Sequence, residues 1–305
     1  MAETVTKGFI TVATGSEYYY RLAANLCISY RKRGSGRYPF ALICDRENEY
    51  SAVFDDVVLV KDVTRSTLDK LLISLSPYGE TIFLDADSLV IGDIDDLWDA
   101  FQNQDDVSAF GCTLPLDSRK GWFTYEGSGP YMDRVKYLMS MNGGIYYVRK
   151  SPLSEKVFQD ARQVIDNYSS IDFKYFSNPQ DEPVMAMAMV INGCKPNDMA
   201  YDMIVLPFAK ERISVDYRGN VYEGGKRTQN KLIHFATART RLFLYNYLAD
   251  GILNGSDTLN RMHYLRSRLR YVPAEIKTAL LHKGGAVLRS LGLGKVVAIL
   301  KREKR

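Results

Sequence analysis

Asp85 and Asp87 stand two residues apart at the end of the apolar run Thr81-Ile-Phe-Leu84. In extended chain alternate side chains leave on the same face, so both carboxylates project to one side while Ala86 points to the other. Two acids on one side of a buried strand end repel each other, and a divalent cation relieves that repulsion while neutralising any phosphate that approaches. The run continues into Asp93-Ile-Asp-Asp-Leu-Trp98, whose acids read as the charged start of a helix and not as ligands. An EF-hand is a poor fit, because Leu89 and Val90 fill its fifth-ligand and glycine positions. Asp-x-Asp is also a common way to end a strand in solvent. The buried run before it and the helix start after it favour a site.

The elements that must hold this corner alternate. Short β-rich runs at 8–14, 40–44 and 57–60 precede the one at 81–84, with helical spacing over Glu17–Tyr30 and a candidate helix at Thr67–Ser76. Such alternation predicts βαβ units and a mostly parallel sheet with flanking helices. Ligands of such sheets sit outside the carboxyl ends of the strands, where Thr14-Gly15, Asp45 and Asp85 all fall. Further on, 144–148 reads as a strand, 154–165 as a helix, 213–222 as a hairpin turning at Arg218-Gly219-Asn220, and 231–235 as one more strand. Between them, 115–141 reads as a long glycine-punctuated loop carrying Trp122, Phe123, Tyr125 and Tyr131.

The composition is that of a globular chain: 305 residues, 46% hydrophobic, 40 Lys+Arg against 36 Asp+Glu. This excludes wholesale disorder and fibrous repeats. Four scattered cysteines with no CxxC pair argue against a zinc ribbon or a disulfide framework and fit a reducing compartment. Residues 1–8 lack the apolar core of a signal peptide, and no stretch is long and apolar enough to span a membrane, so a cytoplasmic protein is expected. The formal charge of +4 conceals an asymmetry. Residues 261–305 hold twelve Lys/Arg and two acids, a net +10, which leaves −6 for the rest. Basic residues interleaved with aliphatics there predict one or two interfacial helices, broken near Gly284-Gly285, that meet an anionic membrane surface on its cytoplasmic face. Nucleic acid is not an expected partner, since no reading module is present.

Leu84-Asp-Ala-Asp-Ser-Leu-Val90 with Ile94-Asp-Asp-Leu-Trp98 resembles the DxD region of metal-dependent, nucleotide-sugar glycosyltransferases, and most closely glycosyltransferase family 8, the glycogenin and bacterial lipopolysaccharide galactosyltransferase group. Four further segments are similar in the family's order: Val12-Ala-Thr14 with Tyr18, Asn142-Gly-Gly-Ile-Tyr-Tyr-Val148, Gln180-Asp-Glu182 and Leu232-Ile-His-Phe235. The likeness covers roughly 8–240. It implies a GT-A (Rossmann-like) catalytic domain over 1–255, with 256–305 as the basic tail.

The resemblance implies Mn²⁺, or Mg²⁺, held by Asp85, Asp87 and His234, and the mixed carboxylate–imidazole set suits Mn²⁺ better. It places a donor, a UDP-sugar by preference, against Ala13, Thr14, Tyr18, Lys70, Ala86, Asn142, Gly143 and Gly144. Asp181 and Glu182 fall at the reacting carbon, and Trp122, Tyr125 and Tyr131 face a glycan or lipid-linked acceptor. Two departures matter. The family has Gln where Glu182 stands, which leaves open whether the reaction retains configuration, the preferred reading, or inverts it with Glu182 or Asp181 as base. After His234 the family's Gly, Lys, Pro and Trp are missing, and Arg239 or Arg241 is the candidate phosphate clamp. Competing readings are a non-catalytic sugar- or membrane-binding protein with a retained metal site, and a sugar-phosphate nucleotidyltransferase. The second normally has a glycine-rich loop where this chain has Thr14-Gly-Ser-Glu17.

Overall fold

The structure, a computed structural model, describes residues 6–206, 208–209, 211–255 and 259–279. Its strands are β1 (Lys7–Ala13), β2 (Phe40–Cys44), β3 (Asp56–Leu59), β4 (Glu80–Leu84), β5 (Ser88–Val90), β6 (Val107–Leu114), β7 (Leu138–Arg149), β8 (Met203–Val205), β9 (Ile213–Val215), β10 (Val221–Glu223), β11 (Lys226–Arg227) and β12 (Leu232–His234). The helices are α1 (Glu17–Arg33), α2 (Leu97–Phe101), α3 (Pro152–Asp166), α4 (Asp181–Ile191), α5 (Phe243–Asn254) and α6 (Arg261–Ala279). The chain gathers into two compact units, 1–204 with 229–234, and 205–228 with 235–305.

The first unit is built on a six-stranded sheet in the order β3-β2-β1-β4-β7-β6. Its first four strands run parallel, as the βαβ alternation predicts, and β7 runs antiparallel to both β4 and β6. Alternation along the strands gives each face its own helices. Ile10, Ala41, Ile43, Phe83 and Tyr146 pack with Val157, Phe158 and Ala161 of α3 and with α4. From the other face, the Phe9 ring packs at a tilt against Tyr30 of α1, Phe40 and Trp98 of α2, with ring centroids 4.8–6.0 Å apart.

Local signals fix the ends. Ser16 caps α1 by accepting from Tyr18 N–H, and Arg31, Lys32 and Arg33 oppose the helix dipole at its last turn. Ser151 and Ser154 form a reciprocal capping box on α3, with Pro152 at its first position. The segment 67–75 is a 3₁₀ helix where the sequence predicts a helix of unstated type. The expected loop 115–141 is shorter, because Glu126–Arg134 forms 3₁₀ turns and β7 begins at Leu138. Of the acids at the start of α2, Asp96 makes no side-chain cap bond and pairs with Lys231 at 2.5 Å.

A small sheet, β5-β12-β8, carries the corner of interest. In the second unit β9 and β10 form the predicted antiparallel hairpin, extended by β11. Gly219 turns it at φ +80°, while Asp216 accepts from Arg218 and Asn220 N–H. There α6 lies on α5, with Tyr264 edge-on to Phe243 and Tyr247 and with Arg268 over Phe243. The opposite face of α6 exposes Met262, Leu265 and Leu269 among Arg261, Arg266 and Arg270. The expected break at Gly284-Gly285 and the rest of the tail to 305 lie outside the described residues. Among the described residues no helix is long and apolar enough to cross a membrane.

Candidate functional site

The chain leaves β4 at Leu84, passes Asp85-Ala86-Asp87 and enters β5 at once. Ala86 is buried, as its inward position requires. Because β12 pairs antiparallel with β5, His234 falls opposite Ser88, one residue beyond Asp87. The register thus delivers an imidazole from a distant part of the chain to the acids. His234 Nε2 lies 3.0 Å from Asp87 Oδ1 and 3.6 Å from Asp85 Oδ2. One ligand atom from each residue fits within a 4.8 Å group.

Lys70 anchors the other side. Its Nζ lies 2.7 Å from Asp85 Oδ2, 2.8 Å from Asp181 Oδ2 and donates to Gly143 O at 3.3 Å. Burial opposes the ammonium charge, but Asp85 and Asp181 outweigh burial and hold its pKa well above the ordinary value. Burial likewise opposes ionisation of Asp85, while Lys70 and His234 keep its pKa below the usual carboxylate range. His234 is buried too, and the pull of Asp85 and Asp87 raises its pKa to about 10 against that burial.

Asp181 and Glu182 open α4, where the helix N-terminus favours negative charge. Glu182 Oε1 accepts from Gly143 N–H at 2.7 Å. Burial raises the Glu182 pKa, and the Gly143 bond only partly offsets this. Gly143 and Gly144, expected to let backbone approach the sugar, stand where the structure leaves no room for a Cβ. A Cβ on Gly143 would sit 2.6 Å from Glu182 Cγ and 3.0 Å from Tyr146 Oη, and one on Gly144 would sit 2.6 Å from His234 Nδ1. They let the carboxylates and the imidazole close on the β7 backbone. Asn142 holds the turn by accepting from Gly144 N–H at 2.9 Å, and Gly144 O accepts from Asp85 N–H at 2.9 Å.

The residues present fit a divalent cation. Four carboxylates (Asp85, Asp87, Asp181, Glu182) gather here with Lys70 and the His234 imidazole, so a dication reduces the negative charge of the group. Two hard oxygens with one imidazole nitrogen suit Mn²⁺ and tolerate Mg²⁺. His234 Nδ1 is buried and has no hydrogen-bond partner among the described residues.

The other expected residues divide. Ala13 ends β1 buried, and Thr14 donates its hydroxyl to buried Asp69 at 2.5 Å, so that proton is committed within the fold. Of the three tyrosines, Tyr20 is buried and donates to Asp45, Tyr19 is exposed, and Tyr18 is half-buried with Arg21 over its ring. Trp122 and Tyr125 are partly buried. Tyr131 is a correction: its ring is buried in the core and its hydroxyl accepts from Asn167, so it offers no open face. In the second unit Arg241 is exposed, and Arg239 lines a cavity of about 420 Å³ with Phe235, Phe243 and Arg268. Sequence reasoning missed Asp69, which also accepts from Thr64 and Arg65 N–H, and Tyr146, whose buried hydroxyl borders Asp181 and Glu182. Asp69 stands in no motif, and Tyr146 lies within the Asn142–Val148 segment, where only Asn142, Gly143 and Gly144 were singled out. Asp45, noted only as a strand end, ties the β1 turn by accepting from Gly15 N–H at 3.1 Å.

No protein-family model and no curated protein matches the sequence. Solved structures do. The chain is similar to the bifunctional glycosyltransferase WbbM in its apo form, at 12% identity and a TM-score of 0.51, over 88% of this chain and 53% of that one. It is also similar to the glycosyltransferase GlyE of Streptococcus pneumoniae TIGR4 (16% identity, TM-score 0.43, 65% of this chain and 46% of that one). A third is the galactosyltransferase LgtC in complex with donor and acceptor sugar analogues (12% identity, TM-score 0.47, 83% and 96%). The chain spans about half the length of the first two. With the sheet order described above, the likeness to WbbM gives the chain the GT-A glycosyltransferase fold that its DxD region predicts.

Proposed function

We propose that this chain is a metal-dependent glycosyltransferase that moves a sugar from a nucleotide-diphosphate donor, a UDP-sugar by preference, to a glycan or lipid-linked acceptor. The observation that carries the reading is the convergence of Asp85, Asp87 and His234 at the carboxyl end of the parallel strands, in a fold shared with glycosyltransferases. Asp85, Asp87 and His234 would hold Mn²⁺ or Mg²⁺, and the ion would supply positive charge opposite a donor diphosphate.

The chain's own residues would do the rest. Lys70 keeps Asp85 ionised and holds Asp85 and Asp181 in place, and it is a candidate to approach the diphosphate as the donor binds. The backbone of Ala13 and Thr14, with Tyr18, would hold base and ribose, and Arg239 or Arg241 would clamp phosphate. Gly143 orients Glu182 through one oxygen. The acceptor hydroxyl attacks the sugar carbon, its bond to the diphosphate breaks, and the hydroxyl proton leaves to a base. In a retaining reaction, which we favour, Asp181 and Glu182 stabilise the oxocarbenium-like carbon; in an inverting one, Glu182 or Asp181 takes that proton. The exposed apolar and basic face of α6 supports attachment to an anionic membrane surface on the cytoplasmic side, which fits an acceptor carried on a lipid.

The test is donor hydrolysis over a panel of UDP-sugars with Mn²⁺ and with EDTA, using Asp87→Ala as control. Release of nucleotide with Mn²⁺, abolished by EDTA and by Asp87→Ala, is expected. Nucleotide release indifferent to the metal, or none with any donor, contradicts the reading and favours a non-catalytic binding protein. The anomer formed decides the role of Glu182.

A further inference from the structure

We propose that Trp122, Tyr175 and Phe176 form a carbohydrate-stacking subsite that holds the acceptor glycan beside Asp181. The proposal rests on the glycosyltransferase reading and adds where, and by what surface, the acceptor is gripped.

Two loops are pinned together from beneath. Lys174 N–H donates to Trp122 O and Asp172 N–H to Gly127 O, each at 2.8 Å. Phe123 bridges Phe173 in antiparallel fashion, their rings edge to face at 6.0 Å, and Phe173 stacks on Tyr168 at 4.5 Å. Phe123, Phe173 and Tyr168 are all buried and form a fixed base. On its outer side three rings gather: Trp122 lies 6.5 Å from Tyr175 and 5.9 Å from Phe176.

Three features of these rings do not fit ordinary packing. Tyr175 is 79% exposed, and its φ of +71° is a backbone region that non-glycine residues adopt at a cost. Strain that turns a large ring into water gains nothing for the fold. Phe176 is 37% exposed beside it. Trp122 Nε1 is covered and has no hydrogen-bond partner among the described residues, a penalty that phenylalanine would avoid if packing were the only requirement. Within three residues of these rings along the chain lie exposed Arg119, Lys120, Asp172, Ser177 and Asn178, polar groups suited to sugar hydroxyls. Ring faces with a polar border match the apolar faces and hydroxyl edges of a pyranose.

The position also fits. Phe176 and Asp181 are five Cα steps apart, a reach of at most ~18 Å, and Gln180 within that link is tied down by Thr67 at 3.1 Å. A glycan of a few rings bridges that span, so stacking at one end delivers the other to the carboxylates.

The chain has two tryptophans, and Trp98 is buried, so a change in intrinsic fluorescence reports Trp122. The full chain is titrated with maltose, lactose, cellobiose and N,N′-diacetylchitobiose, and the same measurement is made on Tyr175→Gly and Phe176→Ala. Glycine accepts the φ of position 175 without strain, so Tyr175→Gly keeps or raises the Tm and the fold is not in question. Expected are saturable quenching by at least one disaccharide, weakened about tenfold or ~1.4 kcal/mol in each variant, and unchanged Mn²⁺-dependent donor hydrolysis. No quenching with any of the four, or equal affinity in Tyr175→Gly, overturns the subsite. A change of oligomeric state in the variants without a change in sugar binding also overturns it, because the rings would then join copies of the chain. Sugar binding without donor hydrolysis would instead defeat the glycosyltransferase reading and leave the subsite standing.

Discussion

Nε2 of His234 lies 3.0 Å from Oδ1 of Asp87, because the β5–β12 register sets His234 opposite the residue that follows Asp87. A one-residue slip of that pairing would turn the imidazole to the opposite face. The site therefore depends on main-chain geometry as much as on its ligands, and Gly144 is the sensitive point. Gly144→Ala places a methyl 2.6 Å from His234 Nδ1. Mn²⁺ affinity is expected to fall ~10–100-fold, the range for disturbed outer-shell contacts, while circular dichroism stays that of the parent. Calorimetric titration with Mn²⁺ checks this.

Lys70 sits between Asp85 and Asp181. Lys70→Met removes the ammonium shared by both acids in a buried setting and leaves Asp85 only its pairing with His234, and stability is expected to drop by about 3–5 kcal/mol. Lys70→Arg retains the charge and recovers part of the loss. Urea denaturation of the three proteins without metal gives the comparison, and equal midpoints would mean that Lys70 contributes nothing to the fold.

Asp69 is buried and accepts from the Thr14 and Thr64 hydroxyls and from Thr64 and Arg65 N–H. Asp69→Ala strands these donors around the turn after β1, at about 3 kcal/mol or more. Hydrogen exchange at Thr14 to Ser16 and at Thr64 to Ser66 is expected to quicken ahead of the rest of the sheet. Thr14→Val removes a single donor and is expected to cost about 1 kcal/mol.

Asp160 joins three elements, receiving bonds from Arg134 at 2.6 Å, Asn192 at 2.8 Å and Lys156 at 3.2 Å. Burial opposes its charge, and these three partners outweigh burial and lower its pKa. A carboxyl depressed in the folded state stabilises above its unfolded pKa and loses that contribution as the pH falls through its folded value. Asp160→Asn is expected to cost about 2 kcal/mol at neutral pH and progressively less in acid, where the parent has lost the same charge. Denaturation midpoints across the acidic range test the convergence.

The framework was legible where local signals agree. The strands at 40–44 and 81–84, the helix over 17–30 and the helix over 154–165 all follow from hydrophobic pattern, while the helices' serine caps were found only in the structure. In contrast, α4 is apolar nearly all round because both its neighbours bury it, so no amphipathic stripe marks it. Only its first two acids drew attention. The acid pair was legible from its spacing together with the apolar run before it and the helix start after it. That His234 meets it depends on long-range strand pairing, which the sequence suggests only through resemblance. Tyr131 and Tyr175 show the limit: an aromatic-rich loop points to exposed rings but does not say which ones, and burial reversed the expectation for Tyr131 while Tyr175 was overlooked.

The central claim is a single cation held jointly by the two aspartates and the histidine. Electron paramagnetic resonance of Mn²⁺ titrated into the parent, Asp87→Asn and His234→Ala measures it most directly, since free and bound ion differ in signal. Saturation at one site in the parent, with marked loss in both variants at unchanged melting behaviour, is the predicted result. Binding that survives either substitution, or a parent that takes up no Mn²⁺ even with UDP present, would contradict the account.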